Sequence, residues 1–171
     1  MNTRTVLILI LAATLHAPAQ PAKKTILSSD LGGRELTFLN KSNEHDLVLI
    51  HLAELGKTKG TAEATRALAD LLGTTQEKEH AQLTALARTK GVSLSSAQPG
   101  TIKRIHSLLD PLGKAAFDKA WMAEVTDVLK ASVQNLTNGS TATDADIKKF
   151  ATAGLSLAED KLGVVSKVAA R

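Results

Sequence analysis

From Arg34 to Ala169 apolar residues recur three and four positions apart, with no clean alternating run of the kind a half-buried strand shows. The pattern predicts an all-α chain. The first long helix covers Arg34 to Lys57, with Leu36, Leu39, Asn43, Leu47, Ile50 and Ala53 along its stripe and Gly56 and Gly60 bracketing its end. The short KTKGT connection suits an antiparallel neighbour. Thr61 is the expected N-cap of a second helix that reaches Lys90, with Glu63 in its first turn and Gly91 as its stop. Its stripe reads Thr65, Leu68, Ala69, Leu72, Gln76, Leu83 and Leu86, and Gly73 interrupts it at about 1 kcal/mol relative to Ala.

GVSLSSAQPG is a polar loop, and a short helix from about Thr101 to Leu109 is expected to pack across one end of the assembly. Asp110-Pro111 reads as an N-cap and N1 proline opening a third long helix to Leu136, with Phe117, Trp121, Val125, Val128 and Val133 on its apolar side. Thr143, with Asp146 three residues on, imitates a capping box. It opens a fourth helix ending near Ala169, whose face carries Ile147, Phe150, Leu157, Leu162, Val165 and Val168. Four long helices with mostly short joins predict an antiparallel four-helix bundle over residues 34–171, with a short extra helix between the second and third. Stripes rich in Ala and Leu imply close packing and little interior space.

The N-terminus follows another pattern. Arg4, then an apolar run from Val6 to Leu15, then Ala17-Pro18-Ala19 has the three parts of a secretory signal peptide. The run is too short for the roughly 20 apolar residues that a membrane span needs, and no later stretch reaches that either. Residues 1–19 are therefore expected to be removed near Ala19, leaving residues 20–33 as a flexible segment and placing the protein in the periplasm or outside the cell. Cysteine is absent, so packing alone must hold an exported chain together. About 150 residues make one domain with a real core.

Charge narrows the partners. The chain carries 21 basic and 17 acidic residues, and the basic ones are spread rather than clustered. With no tyrosine and only Phe38, Phe117, Trp121 and Phe150 as aromatics, the basic stripe and stacking residues of a nucleic-acid binder are missing. Partners are expected to be another envelope protein or a second copy of the chain.

One spacing raises chemistry. Glu77-x-x-His80 on the second helix is half of the constellation that carboxylate-bridged di-metal proteins build inside bundles, and it occurs once where two are needed. Glu44, His45, Asp46 and His51 form a polar group on the first helix, read as exposed surface. If a metal is bound, Glu77, His80, His51 and Glu44 are the candidates, because neutral imidazole suits Zn or Cu. Without cysteine, nucleophilic catalysis would need a serine or threonine with a histidine base, and no strand-turn-helix nucleophile elbow is present. Phe117 and Trp121 read as core anchors, Asp118 and Lys114 as an outer-face pair, and His106 as a half-buried packing residue. Asn43 and Gln76, amides in apolar stripes, are expected to set helix register through buried hydrogen bonds.

Three segments carry a family resemblance: FLNKSNEHDLVLIHLAELGK, ATRALADLLG with EKEHAQLTALARTKGV, and above all LGKAAFDKAWM, with Gly113, Ala116, Phe117, Asp118, Lys119, Ala120 and Trp121. They resemble the bacterial envelope proteins grouped as domain of unknown function 4142, over roughly Leu36 to Val168. The resemblance implies a ferritin-like four-helix bundle and an envelope location, and no reaction. Where such proteins commonly carry an acid, an Asp-His pair and two further histidines, this chain has Leu49, Thr75-Gln76, Leu129 and the Asp160-Lys161 region. The polar interior that could hold a metal is thus expected to be largely replaced. The resulting expectation is a non-enzymatic periplasmic bundle without cofactor, acting through surface contacts or as a stress-related envelope module. The alternative is a ferritin-like metal-binding or redox protein with a reduced site.

Overall fold

A computed structural model describes residues 31–169; the expected signal peptide and the segment up to residue 30 lie outside the described residues. Those described form five helices and no strand: α1 (Gly33–Lys59), α2 (Glu63–Thr89), α3 (Gly100–Leu109), α4 (Lys114–Gly139) and α5 (Ala145–Ala169). The all-α expectation holds. Contacts tie α1 to α2, α4 to α5 and α1 to α4, whereas α2 and α5 touch far less. Paired residues run in opposite senses. Asp46 and Lys57 of α1 meet Gln76 and Asp70 of α2, and Phe38 and Leu52 meet Asn135 and Trp121 of α4.

The helix ends depart from the sequence reading. Thr61 does not cap α2: Ala62 holds that position and makes no side-chain cap. Asp118 of α4 takes over, accepting from the Thr61 and Ala62 backbone N–H groups at 3.0 and 2.9 Å and from the Thr61 hydroxyl at 2.5 Å. The expected outer-face pair of Asp118 with Lys114 is therefore replaced by a cross-helix cap. Asp110 ends α3 rather than opening α4, which starts after Gly113. At α5 the cap is Asp144, not Thr143, because its Oδ1 accepts from the N–H groups of Asp146 and Ile147 at 3.0 Å each. Gly91 does end α2 as expected, with φ of 70°, a left-handed conformation that glycine adopts without a Cβ clash.

The core has two apolar ends. The larger holds Leu49, Leu52, Leu68, Leu72, Ile105, Phe117, Trp121, Leu129 and Val165; the smaller holds Leu31, Phe38, Leu39, Leu83, Ile147 and Ala151. Between them every long helix turns polar residues inward or across the seam: Ser42, Asn43 and Asp46 from α1, Gln76 and Glu79 from α2, Ser132 and Asn135 from α4, Lys161 from α5. On α1 the inward positions recur at helical spacing through Glu35, Phe38, Ser42, Asp46, Leu49, Leu52 and Gly56, so the stripe persists while its chemistry changes midway.

The short α3 packs against α1 and α4 beside the larger apolar end, burying Ile102, Ile105 and Leu109. Arg104 clamps it to α4 with both guanidinium arms on the Glu124 carboxylate, at 3.0 and 2.6 Å. That two-pronged geometry is the strong form of an ion pair.

Candidate functional site

The polar waist is a chain of partners rather than a cluster around one point. The Gln76 amide donates to Asp46 Oδ1 at 2.6 Å and its carbonyl accepts from Lys161 Nζ at 2.9 Å. The same ammonium donates to Glu79 Oε2 at 2.7 Å. At the other end, His80 Nδ1 lies 3.5 Å from Asp46 Oδ2. Three helices are joined by one buried amide, which satisfies its polar atoms and fixes their register. On the α4 side Asn135 donates to the Phe38 carbonyl at 3.2 Å and to Ser42 Oγ at 3.0 Å. Asn43 reaches the loop instead, donating to the Ser95 carbonyl at 3.0 Å.

Burial sets the protonation of this group. It pushes the Asp46 carboxyl above the usual range, only partly offset by His80. The Asp46 carboxylate 3.5 Å away in turn raises His80, outweighing the effect of its own burial. His45, one residue from Asp46, is lowered by burial and held neutral, and its Nδ1 is buried without a partner. Burying a charge in such surroundings costs more than leaving the imidazole neutral.

Beside the waist, where α2 and α5 diverge, a cleft of about 350 Å³ enters the bundle. Leu86, Leu136, Phe150 and Leu157 supply apolar walls; Ser42, His45 and Asp46 line its α1 side. Ligand sites commonly measure roughly 300–1,000 Å³ and combine apolar walls with a few polar groups. This interior space is a correction to the close packing expected from Ala and Leu stripes. Small residues at Ala153 and Gly154 line the cleft on α5 without filling it.

The four residues singled out from sequence do not converge. Glu77 is exposed, while His80 is half-buried against Asp46, so the Glu77-x-x-His80 spacing builds no common site. Glu44 lies 3.6 Å from Lys41 and accepts from Thr101 at 3.3 Å. His51 lies elsewhere, against His106 of α3, with ring centroids 4.7 Å apart. Among the described residues no group of three or more His, Asp or Glu side chains comes together in a way that could hold a metal. One expectation is corrected: Asp46, read as surface, is buried. Gln76 makes cross-seam hydrogen bonds of the kind expected of a buried amide, with Lys161 as one partner. Sequence reasoning missed Glu79 and Lys161 as partners. The available signal was Gln76, an amide in an apolar stripe that required something across the seam.

Among the described residues no helix is long and apolar enough to cross a membrane. No curated protein matches the chain. Among solved structures it is similar to the crystal structure of a DUF305 fragment from Deinococcus radiodurans, with a TM-score of 0.72 at 13% identity, covering 82% of this chain and 98% of that one. At that identity the likeness is one of fold, a helical bundle. The sequence pattern of the family described as Domain of unknown function (DUF4142) matches residues 17–168, nearly the whole length. With the LGKAAFDKAWM segment inside that match and the helical fold in place, the chain belongs to the Domain of unknown function (DUF4142) family.

Proposed function

We propose that this protein is an exported, non-enzymatic helical bundle of the bacterial envelope that works by binding, and that the cleft between α2 and α5 is its binding surface. The observation that carries this reading is the cleft itself, with apolar walls from Phe150, Leu136, Leu86 and Leu157 and with His45 and Ser42 among its polar lining residues. Its occupant is a small, mostly apolar molecule with one hydrogen-bonding head that meets His45 and Ser42. The acids of the cleft already have partners: Glu79 holds Lys161, Asp146 holds Lys90, and Asp46 holds Gln76. That disfavours a cationic head group. Lys161 also favours this reading over a reduced di-metal centre, because its ammonium already sits on the waist carboxylate and amide oxygen that a cation would use.

The probe is 1-decanol, followed by amide chemical shifts in the labelled protein. Saturable shifts at Leu86, Gly154 and Leu157, abolished by Ala153→Trp, are expected. Shifts scattered over the surface, or binding unaffected by Ala153→Trp in a folded variant, would overturn the reading. Export is tested separately by intact mass of periplasmic protein, which should begin at Gln20 or within a few residues of it.

A further inference from the structure

Away from the cleft, α3 runs alongside α1 in the same direction. Thr101 meets Glu44 at 3.3 Å, His106 meets His51, and Asp110 meets Lys59 at 2.5 Å. The two imidazoles are tilted by 58° with centroids 4.7 Å apart. Each Nδ1 has a carboxylate beside it: His106 Nδ1 lies 3.1 Å from Asp110 Oδ2, and His51 Nδ1 lies 3.9 Å from Glu54 Oε2. The ring nitrogens left over are the two Nε2 atoms, and His51 Nε2 is buried with no hydrogen-bond partner. Such an orphaned buried group demands a physical explanation, an ion being one.

For His106, a carboxylate on one ring nitrogen with the other nitrogen free is the arrangement that orients a histidine toward a metal, fixing the tautomer and raising ligand basicity; Glu54 stands beyond hydrogen-bond reach of His51. Neutral imidazole is the ligating form and suits Zn²⁺ and Cu²⁺. Burial and the neighbouring His106 both lower the His51 pKa, so the neutral form prevails at neutral pH. With centroids 4.7 Å apart, the two rings are near enough to share one ion once both Nε2 atoms turn toward it. The surrounding charges are Glu54 on α1, Asp110 after α3, and Lys59, which neutralises part of Asp110.

We infer that His51 and His106 form a two-imidazole site for a borderline divalent cation, Zn²⁺ being the reference case, which bridges α1 and α3. With two protein ligands the remaining coordination positions belong to water or an exogenous donor, so the ion is exchangeable, unlike a structural zinc held by four side chains. The site lies apart from the α2–α5 cleft and stands or falls independently of it.

The test is calorimetric titration of the untagged protein with Zn²⁺ alone, with Mg²⁺ as the hard-cation control. One saturable Zn²⁺ per chain, no Mg²⁺ binding, and a melting temperature raised by Zn²⁺ are expected. His106 is half-exposed, so His106→Gln should keep the helical circular dichroism while losing the zinc heat and the thermal shift. Asp110→Asn should weaken binding about tenfold by removing the group that orients His106. Absence of saturable zinc binding, or binding unchanged in folded His106→Gln, would overturn the site.

Discussion

The indole of Trp121 lies against the backbone of Gly56, and its Nε1 donates to the Leu52 carbonyl at 2.6 Å. A Cβ at Gly56 would fall 2.6 Å from the indole Cζ2 and 2.8 Å from the Ala69 Cβ, so α1, α2 and α4 meet here at a distance only glycine permits. Gly56→Ala should destabilise by about 1–3 kcal/mol through overpacking, despite the better helix propensity of alanine. Trp121 is fully buried, and Trp121→Ala should cost about 3–5 kcal/mol. Urea unfolding measures both; a loss below about 1 kcal/mol for Trp121→Ala would contradict this packing.

Asp118 ties the start of α2 to α4, so its removal should act on two helices at once. Asp118→Ala is expected to cost about 1–2 kcal/mol, the upper part of the range for a lost N-cap. Burial alone would raise this carboxyl, but the Thr61 hydroxyl and the Thr61 and Ala62 N–H groups outweigh it and hold it below the usual range. A depressed acid stabilises the fold above its unfolded pKa and loses that contribution as pH falls through the folded one. The gap between wild type and Asp118→Ala should therefore narrow in acid, as followed by thermal melts below about pH 4.

Lys161→Met would strand the Gln76 carbonyl inside the protein and leave Glu79 without its ammonium. The expected cost is about 1–3 kcal/mol, the desolvation penalty of an unpaired buried acceptor. Gln76→Leu breaks the same bond and also frees Asp46, so the double variant should cost less than the two singles added. Strict additivity in a double-mutant cycle would show that the waist does not act as a unit.

His80 provides a pH signature. The Asp46 carboxylate beside it raises its pKa in the folded state. A raised histidine contributes stability that is complete below its unfolded pKa of about 6.5 and is lost as pH rises through the folded value. Wild type should thus exceed His80→Ala in melting temperature by more at pH 5.5 than at pH 8. His45 and His51 are lowered and work in the opposite sense, so the comparison must be made between variants and not from one pH curve. A gap that widens with rising pH would exclude the assigned pair.

What the chain discloses is set by the range of each interaction. Helical spacing is local, so α1, α2 and the apolar face of α4 can be read directly, as can Trp121 in the core and Gly91 as a stop. Asp118 could not be read as a cap, because its partners lie 57 and 56 residues away, just before another helix. Asp46 was obscured differently. It stands in the polar run Asn43-Glu44-His45-Asp46, where no contrast between apolar and polar positions marks the inward face. Lys161 meets Gln76 across 85 residues, and nothing at helical spacing pairs them.

The loose seam between α2 and α5 also bears on how the chain assembles. α1 with α2, and α4 with α5, are hairpins of neighbouring sequence whose contacts close short loops and form early and cheaply. The α1–α4 face is then expected to join the hairpins, and the α2–α5 edge, less closely packed than the other seams between long helices, to close last and open first. Hydrogen exchange should release the α5 amides around Gly154 ahead of those near Leu52. The same edge that carries the cleft is then the line along which the molecule is expected to begin to come apart.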